Sequence, residues 1–394
     1  MYSSYSSLQQ SQLAAQGYYD TQSTYLLVYA PGRSTALRAT LADQLQRKFR
    51  LADTLGSALT EGVDGVLLVS EDVECMSTAL MCFAKALQDG ADYAVCNAVF
   101  GFGGATALYQ SRAHLAQNRC ALVSRPLLER CRAAAKDPEN VTELLALAAQ
   151  FCAHPARIPQ ALLHYERDIC AEDAFSATGK RAFLMSHVLD MTGAPIVLVS
   201  AVPVLRSMGY EVVVLGPSDG GALQLFVDAG AAVITRPGIR ATPNLWGLAL
   251  CTDLVLVNTV VMARTVRALS GTAVPVLWWL HDAFAGYPHI AHQIPTKLAE
   301  NVRLYSVGHH AANAMHAVRP DFQIGQLIYG LPDYAAEDFP RSDLGNPADK
   351  PLFATVGSFE RRKGHDIFCA AIRLLPEEVR NKATFLFVGM AADK

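Results

Sequence analysis

Apolar residues in this chain fall into short, nearly unbroken runs and not into alternating ones. TYLLVYAP (24–31), VDGVLLVS (63–70), ADYAVCNAVF (91–100), RAFLMSHV (181–188), EVVVLGP (211–217), AAVITRP (231–237), TDLVLVN (252–258), VPVLWWLH (274–281), RLYSVG (303–308) and FQIGQLIYG (322–330) each have the length of a strand. Runs of this kind belong to strands covered on both faces. Helical stretches such as LRATLADQLQRKF and STALMCFAKALQDG lie between them, so the pattern predicts α/β architecture with Rossmann-like parallel sheets under helices. The last unit, PLFATVGSFERRKGHDIF (351–368) with ATFLFVG (383–389), reads as strand, basic glycine loop, helix and strand. Its predicted helix carries Ile367, Ala370, Ala371 and Leu374 on one apolar stripe.

Two polar, turn-rich segments divide these runs, at 169–180 and 334–350. The expected organisation is a polar tail at 1–23, a domain at 24–168, a second at 181–333, and the opening of a third at 351–394. A parallel sheet needs several βαβ units, so the third domain is expected to be only begun by Lys394. No fixed-period repeat is evident.

Composition narrows the class. At 394 residues, with 51% hydrophobic and 18% charged residues, the chain can bury sizeable cores, and its net charge of -3 argues against a nucleic-acid binder held mainly through phosphates. Nine cysteines contain no CxxC pair and suit reduced thiols, which predicts a cytoplasmic protein. The N-terminus has no signal-peptide character, and no apolar run reaches membrane-spanning length.

Candidate chemistry sits at strand ends. The loop holding Gly357, Arg361, Arg362, Lys363 and Gly364 precedes a helix, whose N-terminus carries about half a positive charge, so the loop is suited to an anion; a solvated basic turn is the plainer reading. Gly193, between a strand and a helix with Pro195 in its first turn, is either a backbone approach to a phosphate or sugar hydroxyl, or simply a tight turn. Pro203 should kink or shorten that helix. His281 and Asp282 follow five consecutive apolar residues at the carboxyl end of a predicted strand, where open α/β sheets bind ligands. Gly101, Gly103 and Gly104 in AVFGFGGATALY are only a partial dinucleotide fingerprint and read better as a glycine turn between strand and helix.

With those residues in place, 181–394 resembles glycosyltransferase family 4, the retaining nucleotide-sugar enzymes of the GT-B fold. The resemblance rests on SHVLDMTGAPIVLVSAVPVLRSMGYEVVVLGPSDG, TDLVLVN, PVLWWLHDA, LIYGLPD and VGSFERRKGHDIF, in that order. It implies that Gly193 is the glycine facing donor phosphates and acceptor, that His281 stands beside the sugar at the reaction centre with Asp282 next to it, and that Lys363, helped by Arg362, contacts the donor diphosphate. Ser358 occupies the place of the family's usual arginine, which leaves Arg361 or Arg362 to substitute. The GT-B part needs no cofactor. The implied partners are a nucleotide-sugar donor and a glycan or lipid-linked acceptor of bacterial surface polysaccharide synthesis, at the inner face of the membrane, without a transmembrane segment.

The family's acidic E-x7-E element has no counterpart after Gly389, so the resemblance implies a fragment or truncated gene product with little turnover of its own. Residues 24–168 more faintly resemble a degenerate GT-A domain of glycosyltransferase family 2. That resemblance makes Glu71 and Asp72 candidate ligands of Mg²⁺ or Mn²⁺, beside the alternative of a helix cap or solvated turn. Two other classes stay open: a non-catalytic module that binds sugar or a partner, and a nicotinamide-dependent oxidoreductase resting only on the GFGGAT string.

Overall fold

The computed structural model describes residues 18–32, 35–46, 48–59, 62–102, 105–110, 119–175, 179–239, 247–330, 350–359 and 361–389. It divides into two compact units, Met1–Gly330 and Leu331–Lys394. The expected tail is described only from Tyr18, where a 3-10 helix spans Tyr18–Ser23, and the expected linker at 334–350 lies outside the described residues except for Lys350.

The first unit is built on one 15-stranded sheet. Its strands are β1 (Leu26–Tyr29), β2 (Phe49–Ala52), β3 (Gly65–Val69), β4 (Glu74–Cys75), β5 (Tyr93–Phe102), β6 (Ala105–Gln110), β7 (Cys120–Ser124), β8 (Pro155–Asp168), β9 (Lys180–Met185), β10 (Tyr210–Gly216), β11 (Ala232–Thr235), β12 (Leu254–Asn258), β13 (Val276–Leu280), β14 (Val302–Ser306) and β15 (Ile324–Gln326). They are joined in the order β15-β14-β13-β12-β9-β10-β11-β6-β5-β7-β3-β1-β2, with β8 on β5 and β4 on β8. The unbroken apolar runs are explained by position: β1, β3 and β7 are buried at every residue, between helices on both faces.

The sheet does not stop at the expected linker. Within 169–180, Ala171–Ala174 forms one helical turn, and β11 pairs antiparallel with β6 through Val233↔Gln110, Ile234↔Tyr109 and Thr235↔Leu108. One hydrophobic core runs through both halves, from Leu26 and Val28 to Val276, Leu304 and Phe322. The glycine-turn reading is corrected here. The residues after Gly104 form a strand, not a helix, and β5 and β6 pair as an antiparallel hairpin from Ala98↔Tyr109 to Phe102↔Ala105. Two glycines between apolar strands are a hairpin signal, and without a following helix the dinucleotide motif has no structural counterpart.

From β9 onward the sheet is parallel and has the order β11-β10-β9-β12-β13-β14-β15. The chain adds strands on one side of β9, then returns to add β12 on the other. The carboxyl ends of β9 and β12 therefore flank a topological switch point, where doubly wound sheets open a ligand crevice.

The second unit pairs β16 (Leu352–Val356) with β17 (Thr384–Val388) in parallel. Its main helix, His365–Leu374, packs by a different stripe from the one predicted. His365 is buried and Phe368 lies 5.2 Å from Phe387 by ring centroids, whereas Ile367 and Leu374 are 70% and 86% exposed. The face offset by three residues from His365 meets the sheet, so the predicted stripe points away from it.

Candidate functional site at the carboxyl edge of the parallel sheet

Four chain segments meet at the switch point. After β9 the chain passes through Ser186 and His187 and enters the helix Gly193–Ser207. Gly193 is its first residue, exposed, with no atom within 4 Å of where a Cβ would stand, so the helix N-terminus is open to a ligand there. Pro195 is the third helical residue, still inside the first turn where its amide would be unpaired anyway. Pro203 does not shorten the helix, which continues through it to Ser207.

β12 ends at Asn258, whose Nδ2 donates to Ala194 O at 3.0 Å and so ties the strand end to that helix. Thr259 follows with φ 70° and ψ 160°. Its amide donates to Trp279 O at 2.8 Å, and its carbonyl accepts from the buried Trp278 Nε1 at 2.8 Å. Its hydroxyl lies 3.3 Å from His187 Nδ1.

His281 and Asp282 stand at the end of β13, as the sequence placed them. The His281 ring is 4.8 Å from that of Trp279, and burial, with the neighbouring His187 imidazole second, pulls its proton affinity down to about pKa 4. At neutral pH it is an uncharged imidazole able to donate or accept. Asp282 Oδ2 accepts the Val260 amide at 2.6 Å; burial raises its carboxyl above the usual range, against the opposing pull of amide hydrogen bonds led by that of Val260.

Unsatisfied polar atoms also collect along this edge. His281 Nε2, Asn258 Oδ1 and Ser306 Oγ, at the ends of β13, β12 and β14, are buried with no hydrogen-bond partner among the described residues, as is Tyr287 Oη. Buried polar atoms are normally paired, so several orphans on neighbouring strand ends mark where a polar ligand or water completes the site. Sequence reasoning missed His187, Asn258, Thr259 and Ser306. The available signal was their position one or two residues past, or at, the last apolar residue of each run.

In the second unit, Gly357 at the end of β16 has φ 153° and donates its amide to Val388 O at 2.9 Å. The stem of Lys363 lies over it: a Cβ on Gly357 would sit 3.4 Å from Lys363 Cδ. Arg361–Lys363 form a 3-10 turn, and Gly364, left-handed at φ 70°, caps the helix that begins at His365. Arg361 and Lys363 are exposed; the side chain of Arg362 lies outside the described residues. The loop therefore presents cations beside a helix N-terminus, a donor set that suits a phosphate.

The acid pair of the first half is already engaged. Arg167 Nη2 donates to Glu71 Oε1 at 2.6 Å, and Asp72 accepts from the amides of Leu37 (3.3 Å) and Ala36 (3.5 Å) in the helix Thr35–Leu41. Among the described residues no group of three or more His, Cys, Asp or Glu side chains could hold a metal ion. As arranged, Glu71 and Asp72 do not fit a divalent cation, because an arginine and a helix end take the oxygens it would need. Arg167 also grips Asp173 through Nη1 (2.6 Å) and Nη2 (2.9 Å) and lies over the Phe100 and Tyr165 rings.

Among the described residues no helix is long and apolar enough to cross a membrane. No curated protein matches the chain. Among solved structures, the chain is similar to Alr3699/HepE from Anabaena, crystallised in complex with UDP and glucose, at 15% identity and a TM-score of 0.40, over 53% of this chain and 69% of that one. The model of Glycosyl-transferase family 4 matches residues 178–316, the segment running from just before β9 to the helix after β14. In that segment, which holds the switch point, His281 and Asp282, the chain resembles glycosyltransferase family 4.

Proposed function

We propose that this chain carries the acceptor-side domain and residues of the donor-side domain of a GT-B glycosyltransferase that uses a nucleotide sugar. The observation that carries the reading is the coincidence of the family match at 178–316 with the orphaned polar atoms at the ends of β12, β13 and β14. In this reading the neutral His281 imidazole stands against a sugar hydroxyl through Nε2, and Asp282 holds the turn that presents it. Gly193 leaves the N-terminus of its helix free to approach the sugar or its phosphate. Arg361, Arg362 and Lys363, with Gly357 and Gly364 shaping their loop, meet the donor diphosphate.

The chemistry gives each group a reason. Transfer through an oxocarbenium-like centre builds negative charge on the departing nucleotide diphosphate. Fixed cations and a helix N-terminus stabilise that charge without reorganising, an arrangement in which a single donor is typically worth about 3 kcal/mol in the transition state. Retention of configuration, a hexosyl donor and a glycan or lipid-linked acceptor are the finer parts of the proposal. Residues 24–168 act in it as a degenerate GT-A-like scaffold that extends the sheet; Glu71 serves the Arg167 network and Asp72 the helix cap.

The test is titration of the full chain with UDP-glucose, GDP-mannose and ADP-glucose by calorimetry. Saturable binding of at least one, without added divalent metal, supports the reading. No heat with any of the three at millimolar concentration contradicts it.

A further inference from the structure

Thr259 is the one non-glycine residue with positive φ among the described residues. At φ 70° and ψ 160° it occupies a backbone region that is essentially reserved for glycine. Strain there persists only when the surroundings over-determine it, and they do: the Thr259 amide is held by Trp279 O, its carbonyl by Trp278 Nε1, and the next amide by Asp282. None of these bonds uses the threonine side chain. A glycine would satisfy the backbone better, so what threonine adds is its side chain, which is 1% exposed as a residue and meets His187 Nδ1 at 3.3 Å.

β12 lies between β9 and β13, with Val257 opposite Met185 and Asn258 opposite Trp279. One step further along each strand, Thr259 stands between the residues that lead to His187 on one side and to His281 on the other. We propose that Thr259 is a positioning residue. Its hydroxyl fixes the tautomer and direction of the His187 imidazole at the switch point, so that His187 and His281 meet the hydroxyls of one bound sugar from the two sides of β12. The second half of this proposal rests on the glycosyltransferase reading; the first half does not.

The experiment uses the full chain and the variants T259S, T259V and T259G. Long-range ¹H–¹⁵N spectra report the tautomer of each histidine, the His187 signals being assigned with H187Q. Calorimetry with UDP-glucose, GDP-mannose and ADP-glucose reports affinity. T259S should reproduce the wild-type spectrum and affinity. T259V and T259G should move the His187 nitrogen shifts away from their wild-type values and weaken binding roughly fivefold, the scale of one lost hydrogen bond. T259G tolerates the backbone angle and so serves if T259V does not fold. Unchanged His187 shifts in both overturn the positioning role. Changed shifts with unchanged affinity overturn the shared-sugar half. A wild type that binds none of the three sugars contradicts the glycosyltransferase reading, and the spectra alone then decide whether Thr259 positions His187.

Discussion

Asp282 Oδ2 accepts the Val260 amide at 2.6 Å, joining the end of β13 to the turn that leaves β12. The carboxylate closes the turn containing the strained Thr259, which makes it the clamp on His281's neighbourhood. Replacing it with alanine leaves a buried amide unpaired, and D282A should lose about 1–3 kcal/mol of stability in urea denaturation. D282N, which keeps an acceptor oxygen, should lose less.

Asp282 also sets a pH dependence. Its folded pKa is raised by burial, so the folded state holds the proton more tightly than the unfolded chain. Stability from this group is present at low pH and declines as pH rises from about 4, the unfolded value, through the raised folded value. The decline should be absent in D282N, compared with wild type by denaturation midpoints at stepped pH.

His281 acts in the opposite direction. Its folded pKa of about 4 lies below the ordinary value near 6.5, so the unfolded chain binds the proton first. The stability it confers is complete above about 6.5 and is lost as pH falls toward 4, by at most about 3 kcal/mol. H281N should flatten this acid limb without changing the midpoint at pH 8 by more than a packing difference. Equal acid sensitivity in both proteins would contradict the buried neutral state of this ring.

The Arg167, Asp173 and Glu71 network should be structural. Asp173 is 5% exposed and takes two hydrogen bonds from Arg167, whose own charge is shared with Glu71. Removing the carboxylate takes two hydrogen bonds from the guanidinium and leaves it Glu71, so D173A should cost about 1–3 kcal/mol. Because the sheet runs through both halves, the loss should appear in one transition that includes 181–330, and added Mg²⁺ or Mn²⁺ should not restore it.

The sequence made the parallel strands legible because two-sided burial forces unbroken apolar runs, as at β3, β12 and β13. It placed His281 at the strand end for the same reason: the first polar residues after VPVLWWL mark where the apolar run, and with it β13, stops. The hairpin of β5 and β6 was misread because the glycine pair resembles a phosphate loop when the following strand, ATALYQ, also passes for a helix. β8 was missed as a strand, since Pro159 and its charged residues break any period, while long pairing with β5 holds it extended. The strain at Thr259 gave no signal, because a positive φ is a property of the backbone path and not of residue type. The stripe on the helix at His365 failed because the small residues Ala370 and Ala371 fit either face, and only Phe368 on Phe387 decides between them.

The central proposal is that His281, past β13, and Lys363, past β16, each strengthen the binding of a nucleotide sugar. The most direct measurement is calorimetric titration of wild type, H281A and K363A with whichever nucleotide sugar the wild type binds. The account predicts that each substitution weakens binding about tenfold, the scale of one charged or buried hydrogen bond, with unchanged thermal midpoints for K363A. Wild-type affinity in both variants would contradict it.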